Sequence, residues 1–243
     1  MPRERIIKND WTTDEIDAVL EQYKPITVPV SISIKGKQKV LSFSEAEKIL
    51  KKARLISIEP CWCRLKLKNC NGPIDACICV DKEAELAITQ RDGWKATLKE
   101  AMSALEKTHK AGLVHLAYEM EGHEMRSICS CCACCCHTLA AITRFGYGEV
   151  VARSDVIAVH SPSKCTNCKI CVNKCQFDAW NLVGGNVHHY SLKCAGCGVC
   201  ASFCPTGSIK MTKRKDLKAT ASRGRSRRRM IKEFSVKRYK ESG

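Results

Sequence analysis

Cys165, Cys168, Cys171 and Cys175 are spaced C-x2-C-x2-C-x3-C, and Cys194, Cys197, Cys200 and Cys204 repeat that spacing 29 residues later. The two stretches read KCTNCKICVNKC and KCAGCGVCASFC. Thiolates are soft ligands, and three cysteines two apart wrap one tight loop around three corners of an iron–sulfur cubane. The fourth begins a short helix and reaches across to the other cluster. The spacing therefore assigns Cys165, Cys168, Cys171 and Cys204 to one [4Fe-4S] cluster, and Cys194, Cys197, Cys200 and Cys175 to the other. Eight thiols on two zinc ions is the competing reading, but zinc sites rarely use this doubled spacing. Two closely spaced clusters in a low-dielectric shell are what one-electron transfer requires.

Eleven more cysteines stand upstream in two groups. Cys61, Cys63, Cys70, Cys77 and Cys79 form one, and Cys129, Cys131, Cys132, Cys134, Cys135 and Cys136 the other. If the second stretch is helical, successive side chains diverge by about 100°. Cys129, Cys132 and Cys136 then share one face, and Cys131, Cys134 and Cys135 another. Six such cysteines cannot all serve one cubane. Cys61, Cys63, Cys70, Cys77, Cys129, Cys131, Cys132, Cys135 and Cys136 are the candidate ligands of one or two further iron–sulfur clusters, with zinc and plain thiol packing as the other readings. A catalytic non-cubane cluster of the kind heterodisulfide reductases build on CCG pairs finds no CCG here. His137, directly after Cys136, reads as a helix-surface or supporting residue rather than a ligand, and His115 as a core histidine. Arg64, after Cys63, is placed to offer its guanidinium to cluster sulfides or an acidic substrate, against an ordinary surface role. No GxGxxG, phosphate loop, GxSxG or HExxH is present, so nothing points to bound ATP, NAD or flavin.

Residues 154–212 resemble the bacterial-type dicluster ferredoxins, with one departure. Pro205 follows Cys204, whereas Gln176 follows Cys175. Proline shapes the backbone there and removes a donor, so its replacement alters hydrogen bonding near a cluster sulfur. The wider pattern, CxCR…C…P…C followed by GLVH, ICxCCxCCC and the KCQFDA variant, resembles ferredoxin-like proteins that carry a cysteine-rich N-terminal domain. That likeness covers about residues 40–212 and implies a fold and a cofactor type, not a substrate.

The elements that must position these thiols are partly readable. Thr12 with Glu15 makes a capping box for a helix with Ile16, Val19, Leu20 and Tyr23 on one stripe, ended by Pro25. Ile26, Val28, Val30, Ile32 and Ile34 keep the period of a strand, and Lys39–Phe43 reads as its partner. Ser44 with Glu47 opens a second helix to about Arg54, and Ile56 and Ile58 form a strand delivering Cys61. A helix from about Lys95 to Lys110 stops at Gly112, a strand covers Leu113–Ala117, and the cysteine run enters a helix reaching Phe145. Val156–Val159 opens the repeat unit, in which Trp180–Val183 and Asn186–Tyr190 form a hairpin across Gly184 and Gly185, and His188 and His189 face solvent.

The fold class expected is α+β: a C-terminal pseudo-two-fold dicluster ferredoxin fold at 154–212, an N-terminal cysteine-rich α/β domain at 1–153, and a basic tail at 213–243. With 243 residues, 44% of them hydrophobic but only 6% aromatic, the core needs help, and 19 cysteines offer it through metal. The start MPRERIIKND has no apolar signal segment, and no run approaches the ~20 apolar residues of a membrane span. A cytoplasmic protein with reduced thiols follows, and in that setting dense cysteine reads as metal ligation. The net charge is +16, of which residues 213–243, with 13 Lys/Arg and 3 Asp/Glu, supply +10. Such a tail suits a redox protein or oxidoreductase complex with an acidic surface, or nucleic acid. The function expected is an iron–sulfur electron carrier of anaerobic metabolism rather than an enzyme. It would relay electrons between the two clusters, an N-terminal centre and a larger partner. The alternatives are a reductase subunit with an active N-terminal cluster, and an RNA- or ribosome-associated iron–sulfur factor.

Overall fold

The computed structural model of the chain describes residues 7–22, 24–28, 43–119, 125–147, 150–151 and 153–214. Helix α1 (Thr13–Gln22) starts at the expected capping box: Thr12 Oγ1 accepts from the Glu15 amide, and Glu15 Oε2 accepts from the Thr12 amide. Strand β1 (Lys24–Val28) follows, and α2 (Phe43–Lys52) buries Ala46 and Leu50. The strand expected over Ile26–Ile34 is described only as far as Val28, and its remainder, nearly all of its partner at Lys39–Phe43 and the tail beyond Arg214 lie outside the described residues. Strand β2 (Ile56–Pro60) leads into a short helix, α3 (Trp62–Leu67), then β3 (Asp75–Val80), α4 (Asp81–Gln90) and the two-residue β4 (Trp94–Lys95). A second capping box, Thr97 with Glu100, opens α5 (Leu98–Lys110). Strands β5 (Val114–Glu119) and β6 (Met125–Cys131) and helix α6 (His137–Thr143) complete the N-terminal part.

These strands build one antiparallel sheet in the order β1-β5-β6-β3-β2-β4. Its alternation sorts the side chains. Ile58, Ile78, Ala117 and Ile128 turn to the face covered by α2 and α5, where they pack with Leu50, Ala101 and Leu105. On the other face Cys129 stands between its cross-strand partners Cys77 and Leu116, and Cys131 opposes Val114. The stretch 129–136 is therefore not the helix entertained from sequence. Cys129 and Cys131 end a strand, Cys132–Cys136 is a turn, and helix begins only at His137, because β6 must pair with both β3 and β5.

In the remaining chain β7 (Val156–His160) pairs with β10 (Ile209–Lys213), and β8 (Trp180–Val183) with β9 (Asn186–His189). Short helices α7 (Ile170–Lys174) and α8 (Val199–Ser202) each follow a left-handed residue, Lys169 and Gly198. Positive φ recurs at Asn167 and Gly196, the same 29 residues apart as the cysteines, so the repeat extends to the backbone. At 196 only glycine fits, because a Cβ there would lie 2.1 Å from the Val156 carbonyl oxygen. Met1–Lys213 forms one compact unit. One core joins Val114, Leu116, Tyr118 and Leu139 to Phe177, Trp180, Val199 and Ile209.

Candidate metal centres

The cysteine repeat surrounds two recesses. Cys165, Cys168, Cys171 and Cys204 line the first, and Cys175, Cys194, Cys197 and Cys200 line the second. Each recess thus receives three thiols from one arm of the repeat and one from the other, a soft tetrathiolate donor set that fits a [4Fe-4S] cluster. Their surroundings differ. The first contains His160, Thr206 and Ser208, whereas the second is walled by Phe177, Trp180 and Met211. Burial pushes the Cys171 and Cys175 thiols up to about 11. At Cys204 burial also acts upward, but the Ser208 hydroxyl, 3.2 Å from Sγ, and Thr206 hold it below its ordinary value.

Hydrogen bonds to cluster sulfurs stabilise the more negative, reduced state. Ser208→Ala is accordingly expected to lower one of the two ferredoxin couples and leave the other in place. At about 1 kcal/mol for the lost bond the fall is roughly 40 mV for one electron. Protein-film voltammetry measures it, and an unmoved pair of couples would count against a hydroxyl-tuned first cluster.

The upstream cysteines separate into two sets. Cys61 caps α3 and lies within hydrogen-bonding reach of the thiols of Cys63 and Cys77, which hold it down to about 3. Cys77 reaches Cys129 across the β3–β6 pair, and Cys131 reaches Cys136. His137 Nδ1 is 3.3 Å from Cys63 Sγ, beside this six-thiol set. The second set is Cys70, Cys132, Cys134 and Cys135, whose sulfurs all lie within 4.8 Å of one another. Hydrogen bonds from Cys134, Cys135 and Cys70, with the Arg64 charge nearby, drive Cys132 strongly toward thiolate, the form that binds metal.

The turn carrying the second set is held by side chains from elsewhere. Asn69 donates to the Cys134 carbonyl and Trp11 Nε1 to that of Cys135, each at 2.8 Å, and Arg144 donates to that of Ala133 while pairing with Asp10. From the ferredoxin repeat, Gln176 accepts from the Ala133 amide at 2.9 Å and donates to the Gly112 carbonyl at 3.1 Å. The residue standing where the other arm has proline thus anchors the cysteine turn. Arg64 is 2% exposed, donating to the Pro73 and Ser130 carbonyls and to Cys132 Sγ. A surface role for it is overturned by that burial.

Of the nine upstream candidates, Cys61, Cys63, Cys77, Cys129, Cys131 and Cys136 gather in one set, and Cys70, Cys132 and Cys135 in the other. Cys134, which the helical grouping set on a face with Cys131 and Cys135 but which is not among the nine candidates, completes the latter. Cys79 packs against Ala84 and Ala87 instead. His115 is buried as expected, hydrogen-bonded to Ser130 Oγ at 3.0 Å, and burial lowers it to about 3.

No helix among the described residues is long and apolar enough to cross a membrane. Over 70 residues the chain is 36% identical to an uncharacterized protein of Methanothermobacter thermautotrophicus, a match taking in 29% of this chain and 15% of that protein's length. Residues 164–209 match the family model of the 4Fe-4S dicluster domain, so the chain carries an iron–sulfur domain where the two recesses lie.

Proposed function

We propose that the protein is an electron carrier in which a pseudo-two-fold ferredoxin unit, holding two [4Fe-4S] clusters, exchanges electrons with a further cluster at the six-thiol set. The observation that carries this reading is a shared core: Cys131 and Cys136, with Cys129 at its edge, pack in the same apolar cluster as Cys171, Cys175, Cys194 and Cys200. Clusters bound there supply one-electron chemistry, and the chain supplies their spacing and a dry shell. Thiols from both parts sit in one low-dielectric body, so reorganisation around a moving charge is small. The Gln176 bridge fixes the two parts in register, and Phe203, next to Cys204, stacks on His109, which stacks on His115. The external partner is a redox protein with an acidic surface, engaged by the tail that holds ten of the sixteen net charges.

Anaerobic titration of the full chain with a viologen of low potential tests this. Uptake of at least three electrons per chain is expected, within the window of roughly −700 to +450 mV open to such clusters, with broadened EPR signals from neighbouring reduced centres. Uptake of two electrons would remove the N-terminal relay. A fully iron-loaded chain that takes up none would remove the carrier reading altogether.

A further inference from the structure

The two upstream sets differ in a dimension that decides what each can hold. An ion bound tetrahedrally by thiolates at about 2.3 Å places its four sulfurs about 3.8 Å apart. Cys70 Sγ lies 3.7 Å from Cys132 Sγ and 3.9 Å from Cys135 Sγ. A cubane instead binds each thiolate through a different iron at a different corner, so its ligand sulfurs stand farther apart. The chain contains its own comparison. Among the described residues, only Cys70, Cys132, Cys134 and Cys135 form a group of three or more thiols that all lie within 4.8 Å of one another, and neither ferredoxin recess contains such a group.

Other observations agree. Cys132, Cys134 and Cys135 are buried, and carbonyls of their turn are already engaged by Arg144, Asn69 and Trp11, which leaves a closed site. These cysteines pack with Trp11, Leu67 and Ala140, apart from the core that contains the ferredoxin thiols. A divalent ion with four thiolates carries a charge of −2. Arg64 meets it with Nη1 3.6 Å from Cys132 Sγ, and its Nη2 is buried without a hydrogen-bond partner among the described residues.

We propose that Cys70, Cys132, Cys134 and Cys135 hold a single zinc ion in a closed tetrathiolate site that sets the Cys132–Cys136 turn and so presents Cys131 and Cys136 to the six-thiol set. Soft thiolates in tetrahedral array select zinc over hard cations, and four protein ligands leave no position for substrate. The inference does not rest on the electron-carrier reading.

The test is a metal and sulfide count on full-length protein purified anaerobically, beside its Cys134→Ser variant. One zinc per chain is expected, lost in the variant while iron and acid-labile sulfide stay at the parent level. Absence of zinc from the parent, or loss of about four iron and four sulfide in the variant, would overturn the proposal. Should the variant fail to fold, the parent is grown with Co²⁺ replacing zinc. The visible bands of a tetrahedral cobalt–thiolate centre are then expected at one cobalt per chain, and their absence overturns the proposal equally.

Discussion

Replacing Cys204 with serine is expected to remove the cluster held by Cys165, Cys168 and Cys171, more than thirty residues upstream, and to spare the cluster of its nearer neighbours Cys194, Cys197 and Cys200. The loss should be about four iron and four sulfide per chain, or a drop to a three-iron centre. The reason is geometric. Cys204 follows α8 and lines the first recess, while Cys175 follows α7 and lines the second. Cys175→Ser should therefore give the opposite result. The effect on stability should also be large, because Cys171, Cys175, Cys194 and Cys200 are core residues packed among Phe177, Trp180 and Val199. Losing the cluster also loses its binding free energy, which is part of the folding free energy where the ligands come from both arms of the repeat. EPR of the two variants, reduced under identical conditions, distinguishes their residual signals. If Cys204→Ser lost only the cluster of Cys194, Cys197 and Cys200, the crossed ligation would be wrong.

What was legible in the sequence followed from strong local signals. The Thr12–Glu15 capping box marked the start of α1, whereas α5, expected from about Lys95, starts at Leu98 behind a box of Thr97 and Glu100 that the reading of the sequence did not use. The two glycines at 184 and 185 have positive φ and close the β8–β9 hairpin as expected. The cysteine run was harder, since a helical period and a strand period both fit dense cysteine. The useful signal was the pair of C-x-C spacings at Cys77/Cys79 and Cys129/Cys131. A step of two is the period of a strand, and both pairs lie on strands that pair with each other. Helices α3 and α4 escaped notice because α3 is six residues long and α4 has a weak apolar stripe broken by charged residues. Cys134 escaped for a different reason. The Cys132–Cys136 turn is shaped by Arg144, 11 positions from the carbonyl it binds, and by Gln176, Asn69 and Trp11, which lie 43, 65 and 124 positions from their partners, so no local pattern encodes those bonds.

Arg64→Met is expected to be the most damaging substitution outside the cysteines. The methionine replaces much of the stem's volume, so the loss isolates the guanidinium. That group is buried between the two upstream sets, close enough to act electrostatically on Cys61 and Cys131 from one and on Cys132 from the other. Its Nε and Nη1 also donate to the Pro73 and Ser130 carbonyls at 2.9 and 3.0 Å. Removing it leaves the Pro73 carbonyl and the buried Ser130 carbonyl without those donors, and the two thiol sets without their shared counter-charge. Breaking a buried charge arrangement in this way costs about 3–5 kcal/mol. Arg64→Lys should rescue little, since one ammonium cannot reach both carbonyls and Cys132 at once. Gly72, whose added Cβ would lie 3.3 Å from Arg64 Cδ, shows how closely the stem is already wrapped. Anaerobic denaturant unfolding of the metal-loaded chain measures the loss, and metal analysis after gel filtration shows where it falls. Iron and zinc of the N-terminal sets should dissociate while the two ferredoxin clusters keep their EPR signals. A variant as stable as the parent, with full metal content, would show that the guanidinium compensates nothing and that the thiols carry their charge unaided.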